Sequence, residues 1–138
     1  MASAAPRQVI DYALARRALL ADLFAGRVDP SDVCDAHPDL LRAAKHHGET
    51  SDTACPVCRH ADRLVHVTYV YGDSLGAASG RTCPTARLSA LTPEHGEVRV
   101  YVVEVCQRCS WNHLVSSHVR GSVPPAAARR SRSRAAGR

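Results

Sequence analysis

Two short cysteine pairs, Cys55-Pro56-Val57-Cys58 and Cys106-Gln107-Arg108-Cys109, stand 47 residues apart in the chain. A Cys-x-x-Cys turn brings two thiolates to one point, and two such turns supply four soft ligands to a tetrahedral ion such as Zn²⁺. Each pair abuts an apolar run, 64–71 after the first and 98–105 before the second. If those runs pair as antiparallel strands, both turns arrive at the same end of a small sheet. The expectation is one structural Zn²⁺ held by Cys55, Cys58, Cys106 and Cys109.

Two other chemistries compete for the same residues. Paired disulfides need an oxidising compartment, and Met1 to Arg17 has no uninterrupted apolar segment of the signal-peptide kind. No run reaches the roughly 18 apolar residues of a membrane span. A soluble, cytoplasmic chain with reduced thiols is expected, which favours metal. A thioredoxin-like redox pair would start a helix after a strand, whereas Cys55 follows the polar run Gly48 to Ala54 and Cys109 leads into Ser110-Trp111.

The remaining thiols, Cys34 and Cys83, are isolated in sequence. Each is read as a small apolar residue first, with a redox or second metal role as the alternative. His60 and His113 lie beside the two pairs, but four cysteines already complete a tetrahedral shell, so both histidines are assigned to the surroundings of the site.

The elements that must position these ligands are few. The chain has 138 residues and only 4% aromatics, so its core rests on Val, Leu and Ala. A metal staple suits so thin a core: structural zinc in finger peptides contributes roughly 10–16 kcal/mol. The net charge of +5 is concentrated in the last segment, where Ser122 to Arg138 carries Arg129, Arg130, Arg132, Arg134 and Arg138 and no acid. Removing those five cations leaves 13 basic residues against 13 acids. A neutral body and a basic tail are expected, the tail being too poor in apolar bulk to pack and giving weak, non-specific affinity for nucleic acid through Arg129, Arg130, Arg132 and Arg134.

Residues 6–25 fit a helix, with Pro6 in its first turn and Gly26 at its end. At 100° per residue Val9, Ile10, Tyr12, Ala13, Leu19, Leu20, Leu23 and Phe24 form one apolar arc, interrupted by Arg16 and Arg17. Those arginines either reach water past the arc or meet an acidic partner. Asp29-Pro30-Ser31 caps a second helical stretch, and Pro38 restarts a third that ends near Gly48. Short helices joined by tight turns also fit a helix-turn-helix, but no basic recognition helix follows.

Leu64 to Tyr71 and Val98 to Val105 read as strands, and Trp111 to Val119 as a third. Gly72 to Gly96 is a long connection with a short helix around Thr85 to Leu91. The fold class expected is α+β: N-terminal short helices packed on a C-terminal antiparallel zinc-ribbon sheet. Its parts are a helical subdomain (1–50), a ribbon subdomain (51–121) and a disordered basic tail (122–138).

Several runs resemble a small family of uncharacterised proteins from high-GC Gram-positive bacteria. They are Gln8-Val9-Ile10-Asp11-Tyr12-Ala13-Leu14, Val33-Cys34-Asp35-Ala36, Leu40-Leu41-Arg42-Ala43-Ala44, Cys55-Pro56-Val57-Cys58-Arg59 and Val105-Cys106-Gln107-Arg108-Cys109-Ser110-Trp111-Asn112-His113-Leu114. The similarity covers roughly residues 6–121 and implies a bacterial cytosolic zinc-ribbon protein, with no activity or catalytic residue attached.

Three functions fit these features. The first is a non-enzymatic adaptor or regulator that docks on a large nucleic-acid-processing machine, RNA polymerase or the ribosome, by analogy with other zinc ribbons. Its expected contacts are Arg16 and Arg17 on the helix and Arg59, Arg108, Trp111, Asn112 and His113 at the knuckles. Trp111 has the rival role of covering the base of the ribbon. The second is a metal-dependent nuclease using Asn112 and His113, which a closed four-cysteine shell disfavours. The third is a thiol/zinc redox switch, in which Arg59 and Arg108 raise thiolate reactivity.

Overall fold

A computed structural model describes residues 6–88, 90 and 96–121. They form an α+β fold: an antiparallel six-stranded sheet with three short helices packed on it. The strands are β1 (Arg7–Asp11), β2 (Glu49–Thr50), β3 (Leu64–Tyr71), β4 (Arg81–Thr82), β5 (Val98–Cys106) and β6 (Asn112–Arg120). Their order is β1-β6-β5-β3-β2, with β4 pairing further along the same edge of β3. The helices are α1 (Ala13–Phe24), α2 (Pro30–Val33) and α3 (Pro38–His47). None is long and apolar enough to cross a membrane.

The central hairpin follows the apolar runs expected of it. β3 and β5 pair without interruption from Leu64 opposite Cys106 to Tyr71 opposite Arg99. β6 is the third strand, beginning one residue later than expected, and its ladder with β5 shifts register between Val102 and Val103, where Val115 has no partner. Such an extra residue bends the strand and increases its twist.

The first 25 residues depart from the expected single helix. Residues 7–11 are instead an edge strand, paired to β6 through Arg7–Val119, Ile10–Ser117 and Asp11–Ser116. Asp11 accepts a hydrogen bond from the Ala13 N–H, and the helix starts there. The apolar arc is correspondingly broken: Leu20 and Leu23 are buried, whereas Val9, Ile10 and Phe24 are exposed. Alternation and helical periodicity are hard to separate over five residues, and pairing with a strand more than 100 positions away decided the outcome. β1 and β2 therefore carry backbone from the first 50 residues into the sheet.

The expected helix ends hold. Gly26 takes a left-handed φ of +80° and donates to Leu23 O, while Arg27 N–H donates to Asp22 O, a Schellman closure that glycine makes without steric cost. Asp29 caps α2 through Ser31 N–H, with Pro30 in the first turn. α3 ends against Gly48, where a Cβ would lie 2.4 Å from Ala44 O and 2.7 Å from Val65 Cγ2. The connection after β3 contains 3-10 turns at Asp73–Ala78 and Thr85–Arg87 and the strand β4. The latter turn occupies the start of the expected 85–91 helix, whose last residue lies outside the described set. The basic tail, with Arg129, Arg130, Arg132 and Arg134, lies outside it too.

Strand alternation divides the packing. On one face α3 covers Val65, Val67 and Val105 with Ala44, Leu40 and Leu41. On the other, α1 and α2 bring Leu20, Leu23 and Val33 over Leu64, Trp111 and the cysteines. Further along that second face, Leu75, Cys83 and Leu88 cover Val70, Val98 and Val100. Cys83 is thus a buried apolar side chain remote from the paired cysteines.

Candidate metal centre

The two Cys-x-x-Cys turns meet at one end of the sheet because Leu64, at the start of β3, stands opposite Cys106, at the end of β5. The turns are built alike. In each, the first cysteine N–H donates five residues ahead, Cys55 to His60 O at 3.2 Å and Cys106 to Trp111 O at 2.8 Å. In each, the residue after the second cysteine donates back to the first, Arg59 to Cys55 O and Ser110 to Cys106 O. Those two residues take φ of +66° and +72°, a left-handed turn that non-glycine residues rarely adopt.

This geometry aims backbone dipoles at sulfur. Val57 and Cys58 N–H point at Cys55 Sγ at 3.4 and 3.5 Å, and Arg108 and Cys109 N–H point at Cys106 Sγ at 3.4 Å each. Hydrogen bonds of this kind favour the thiolate over the thiol. The four sulfurs lie within 4.8 Å of one another, with Cys55–Cys109 and Cys58–Cys106 both at 3.6 Å. A tetrahedral ion with metal–sulfur bonds near 2.3 Å requires sulfur–sulfur edges of about 3.8 Å. A disulfide requires about 2.05 Å, and all six cysteines are free.

The electrostatics point the same way. Burial pushes the Cys55 and Cys109 thiols up to about 12. At Cys58 burial acts upward as well, but hydrogen bonds from the His60 backbone and the neighbouring thiols outweigh it and bring the group down to about 6. Four thiols in an apolar nest do not ionise together unless a cation supplies the compensating charge. Cys55 and Cys106 are buried and Cys58 and Cys109 half-buried, enclosed by Leu20, Leu23, Val33, Leu64 and Trp111. The donor set therefore fits a soft metal ion and presents four protein ligands to it.

A fifth thiol lies beside these four. Cys34, at the end of α2, has its Sγ 3.7 Å from Cys109 Sγ. Cys34 sits in this cluster because Ala36 N–H bonds Ser110 O at 3.1 Å and Asn112 Nδ2 bonds Asp35 Oδ1 at 3.1 Å, tying the α2–α3 link to the second turn. The sequence carried no local sign of this approach across 75 positions.

The expected contact residues have separate fates. Trp111 is 0% exposed, stacked near-parallel on His113 at 5.9 Å, with its Nε1 donating to Glu104 Oε2 at 2.7 Å. Of the two roles considered for Trp111, partner contact and cover for the ribbon base, its burial among the cysteines fits the second. Arg16 meets an acid within its own chain, its Nε donating to the same Glu104 Oε2 at 2.6 Å. Glu104 is 4% exposed and was missed as a site residue, although an acid inside an apolar strand is itself a signal. Arg17 and Arg108 are exposed. Arg59 is exposed and lies over the Phe24 ring at 5.8 Å. His113 is half-buried with Nδ1 2.7 Å from Leu114 O. His60 is exposed, its Nδ1 3.3 Å from Cys58 O.

Residues 3–134 match a family of unknown function, DUF5318, and the chain belongs to it. It is 50% identical over 117 residues to the uncharacterised protein Rv0049 of Mycobacterium tuberculosis, covering 85% of each chain. The uncharacterised protein Mb0050 of Mycobacterium bovis matches to the same extent. These mycobacterial relatives agree with the resemblance to uncharacterised proteins of high-GC Gram-positive bacteria. No solved structure matches.

Proposed function

We propose that the chain is a cytoplasmic zinc-ribbon adaptor: one structural Zn²⁺ on Cys55, Cys58, Cys106 and Cys109 rigidifies the end of the sheet, and the surrounding surface docks on a large nucleic-acid-processing machine, RNA polymerase or the ribosome. The observation that carries the metal reading is the set of four sulfurs within 4.8 Å, each pair held by the same backbone turn. Four cysteine ligands close the shell, which suits a structural ion rather than one that binds substrate. The docking reading is supported by exposed cations beside the two cysteine turns, Arg59 and Arg108, and by the exposed Arg17 on α1. The tail arginines add weak, salt-dependent affinity for nucleic acid. The test is capture of tagged protein with purified RNA polymerase and with purified ribosomes, alongside an Arg17→Glu/Arg108→Glu variant. Binding of one machine by the native chain and its loss in the variant is the expected result; binding of neither overturns the adaptor reading.

A thiol/zinc redox switch is favoured by one specific contact, Cys34 Sγ at 3.7 Å from Cys109 Sγ. Peroxide would take two electrons from the Cys34 thiol and the Cys109 thiolate and, with one proton from solvent, form a Cys34–Cys109 disulfide and two waters, leaving the ion one ligand short. A metal-dependent nuclease has less support. Asn112 stands opposite Val105 and His113 opposite Glu104, so strand alternation sends the two side chains to opposite faces of β6.

A further inference from the structure

The sheet face that α3 covers at the cysteine end is open at the other end. There Tyr69 and Tyr71 of β3 stand beside Arg99, Tyr101 and Val103 of β5, with Tyr69 directly opposite Tyr101 and Tyr71 directly opposite Arg99. Together with Leu40, Asn112 and Leu114 they line a concavity of about 720 Å³. That is within the roughly 300–1,000 Å³ of a ligand site. The chain has only four Tyr, one Trp and one Phe, and three of these six aromatic rings lie on this one face, Tyr69 also packing against the core under α3. Tyr71 is 44% exposed, and its ring meets Tyr101 edge-on at 5.5 Å.

Among the described residues no acid lines the concavity, and Arg99 stands within it. On the side of Tyr71 and Arg99 a neighbouring groove holds Asp73 and Glu97, of which Glu97 is paired with Arg7 at 2.6 Å. Across Tyr69 the concavity continues into a groove lined by Arg42, His46, His47 and Arg81, where the one acid among the described residues, Asp39, is already paired with Arg42 at 2.9 Å. Arg99 and Arg81 make no ion pair among the described residues. One exposed ring, Tyr71, and two half-buried ones, Tyr69 and Tyr101, bordered by Arg99 and Arg81, form a surface of the kind that binds single strands: bases stack on aromatic faces while phosphates follow a positive edge.

We propose that this face binds single-stranded RNA, with Tyr71 and Tyr101 as stacking partners for bases, Arg99 and Arg81 as phosphate contacts, and the tyrosine hydroxyls as polar partners for the ribose 2′-hydroxyls. This goes beyond the adaptor reading and does not depend on any protein partner. A basic edge also explains how a chain with a neutral body can hold a polyanion: the charge is local.

The test is titration of a fluorescent uridine dodecamer with full-length, metal-loaded protein, repeated with a thymidine dodecamer and a duplex of the same length. Variants are Tyr71→Ala/Tyr101→Ala, Tyr71→Phe/Tyr101→Phe and a chain with all five tail arginines changed to Ala, with melting temperature and metal content measured for each. Expected are preference for the single RNA strand, a rise in Kd of at least about fivefold on losing the rings, retention of strand binding with Phe but with a reduced preference for the uridine over the thymidine oligomer, and retention in the tail variant. Undiminished binding by the folded alanine variant, or loss of all binding with the tail charges, overturns the proposal. Tighter binding of the thymidine oligomer overturns the assignment to RNA. Self-association of the native chain that the alanine variant abolishes assigns the face to a second copy and overturns it as well.

Discussion

Glu104 Oε2 receives Trp111 Nε1 at 2.7 Å and Arg16 Nε at 2.6 Å, so one buried carboxylate oxygen joins β5, the second cysteine turn and α1. Glu104 lies two residues before Cys106, so this junction stands next to the cysteine cluster. Charge-assisted bonds of this kind contribute about 1.5–3 kcal/mol each, and the oxygen would be costly to bury without them.

Removing one member of this triad should therefore cost more than its exposure suggests. Glu104→Ala leaves Arg16 without its partner and a buried indole N–H unsatisfied, with an expected loss of about 3–5 kcal/mol. Arg16→Ala should be clearly destabilising and Arg17→Ala close to neutral, although the two are sequence neighbours. Urea unfolding followed by the fluorescence of the single Trp reads all three. Equal effects of Arg16→Ala and Arg17→Ala would mean that the ion pair does not hold α1 to the sheet.

What the sequence made legible was governed by local period. The apolar runs at 64–71 and 98–105 have one favourable solution, and their pairing follows from it. The cysteine spacing likewise determined which thiols converge. Long-range pairing was not encoded in this way: β1 is a strand because β6 offers it an edge, and no property of Gln8-Val9-Ile10 announces that partner. Cys34 was illegible for the same reason, since its neighbour Cys109 is brought by the tether between Ala36 and Ser110. The open tyrosine face depends on where α3 stops, which alternation in β3 and β5 alone does not reveal.

Metal content should be one zinc per chain in reduced protein, and chelation should unfold the cysteine end of the molecule. The roughly 10–16 kcal/mol associated with such sites in finger peptides is comparable to the 5–15 kcal/mol stability of a whole domain. Cys106→Ser removes a buried ligand and should abolish stoichiometric metal, whereas Cys83→Ser lies in a separate apolar cluster and should leave it unchanged. Elemental analysis of the purified variants decides this. Stoichiometric zinc in Cys106→Ser would show that the ligands are wrongly assigned.

His118 gives a pH dependence separable from that of the thiols. Burial, and then the Arg120 guanidinium, push its pKa below the ordinary value of 6.5, so the folded chain holds it neutral while the unfolded chain protonates more readily. The unfolded state then binds more protons, and stability falls as pH drops from about 6.5 through the lower folded value. His118→Gln should flatten this part of the curve while leaving contributions from carboxylates and thiols in place. Unfolding free energies of both proteins between pH 7.5 and 5, as assay limits, supply the difference; parallel curves would show that His118 is protonated equally in both states.

The contact between Cys34 and Cys109 makes the last prediction. A disulfide needs its sulfurs about 2.05 Å apart, so their 3.7 Å separation must close by about 1.7 Å. Cys34 lies at the end of a four-residue helix, where a small adjustment need not disturb the sheet. Hydrogen peroxide should oxidise the Cys109 sulfur, release one water, and allow the Cys34 sulfur to displace the second, forming the disulfide with no further reductant. Zinc, which does not change oxidation state, should leave as its fourth ligand is consumed. A chromogenic chelator should record faster metal release from the native chain than from Cys34→Ala, and peptide mapping should find Cys34 joined to Cys109. Cys34→Ala should retain stoichiometric zinc before oxidation, because its sulfur is outside the group of four. Equal release rates in the two proteins, or a disulfide confined to the four ligands, would leave Cys34 as a packing residue and remove the case for a switch built on it.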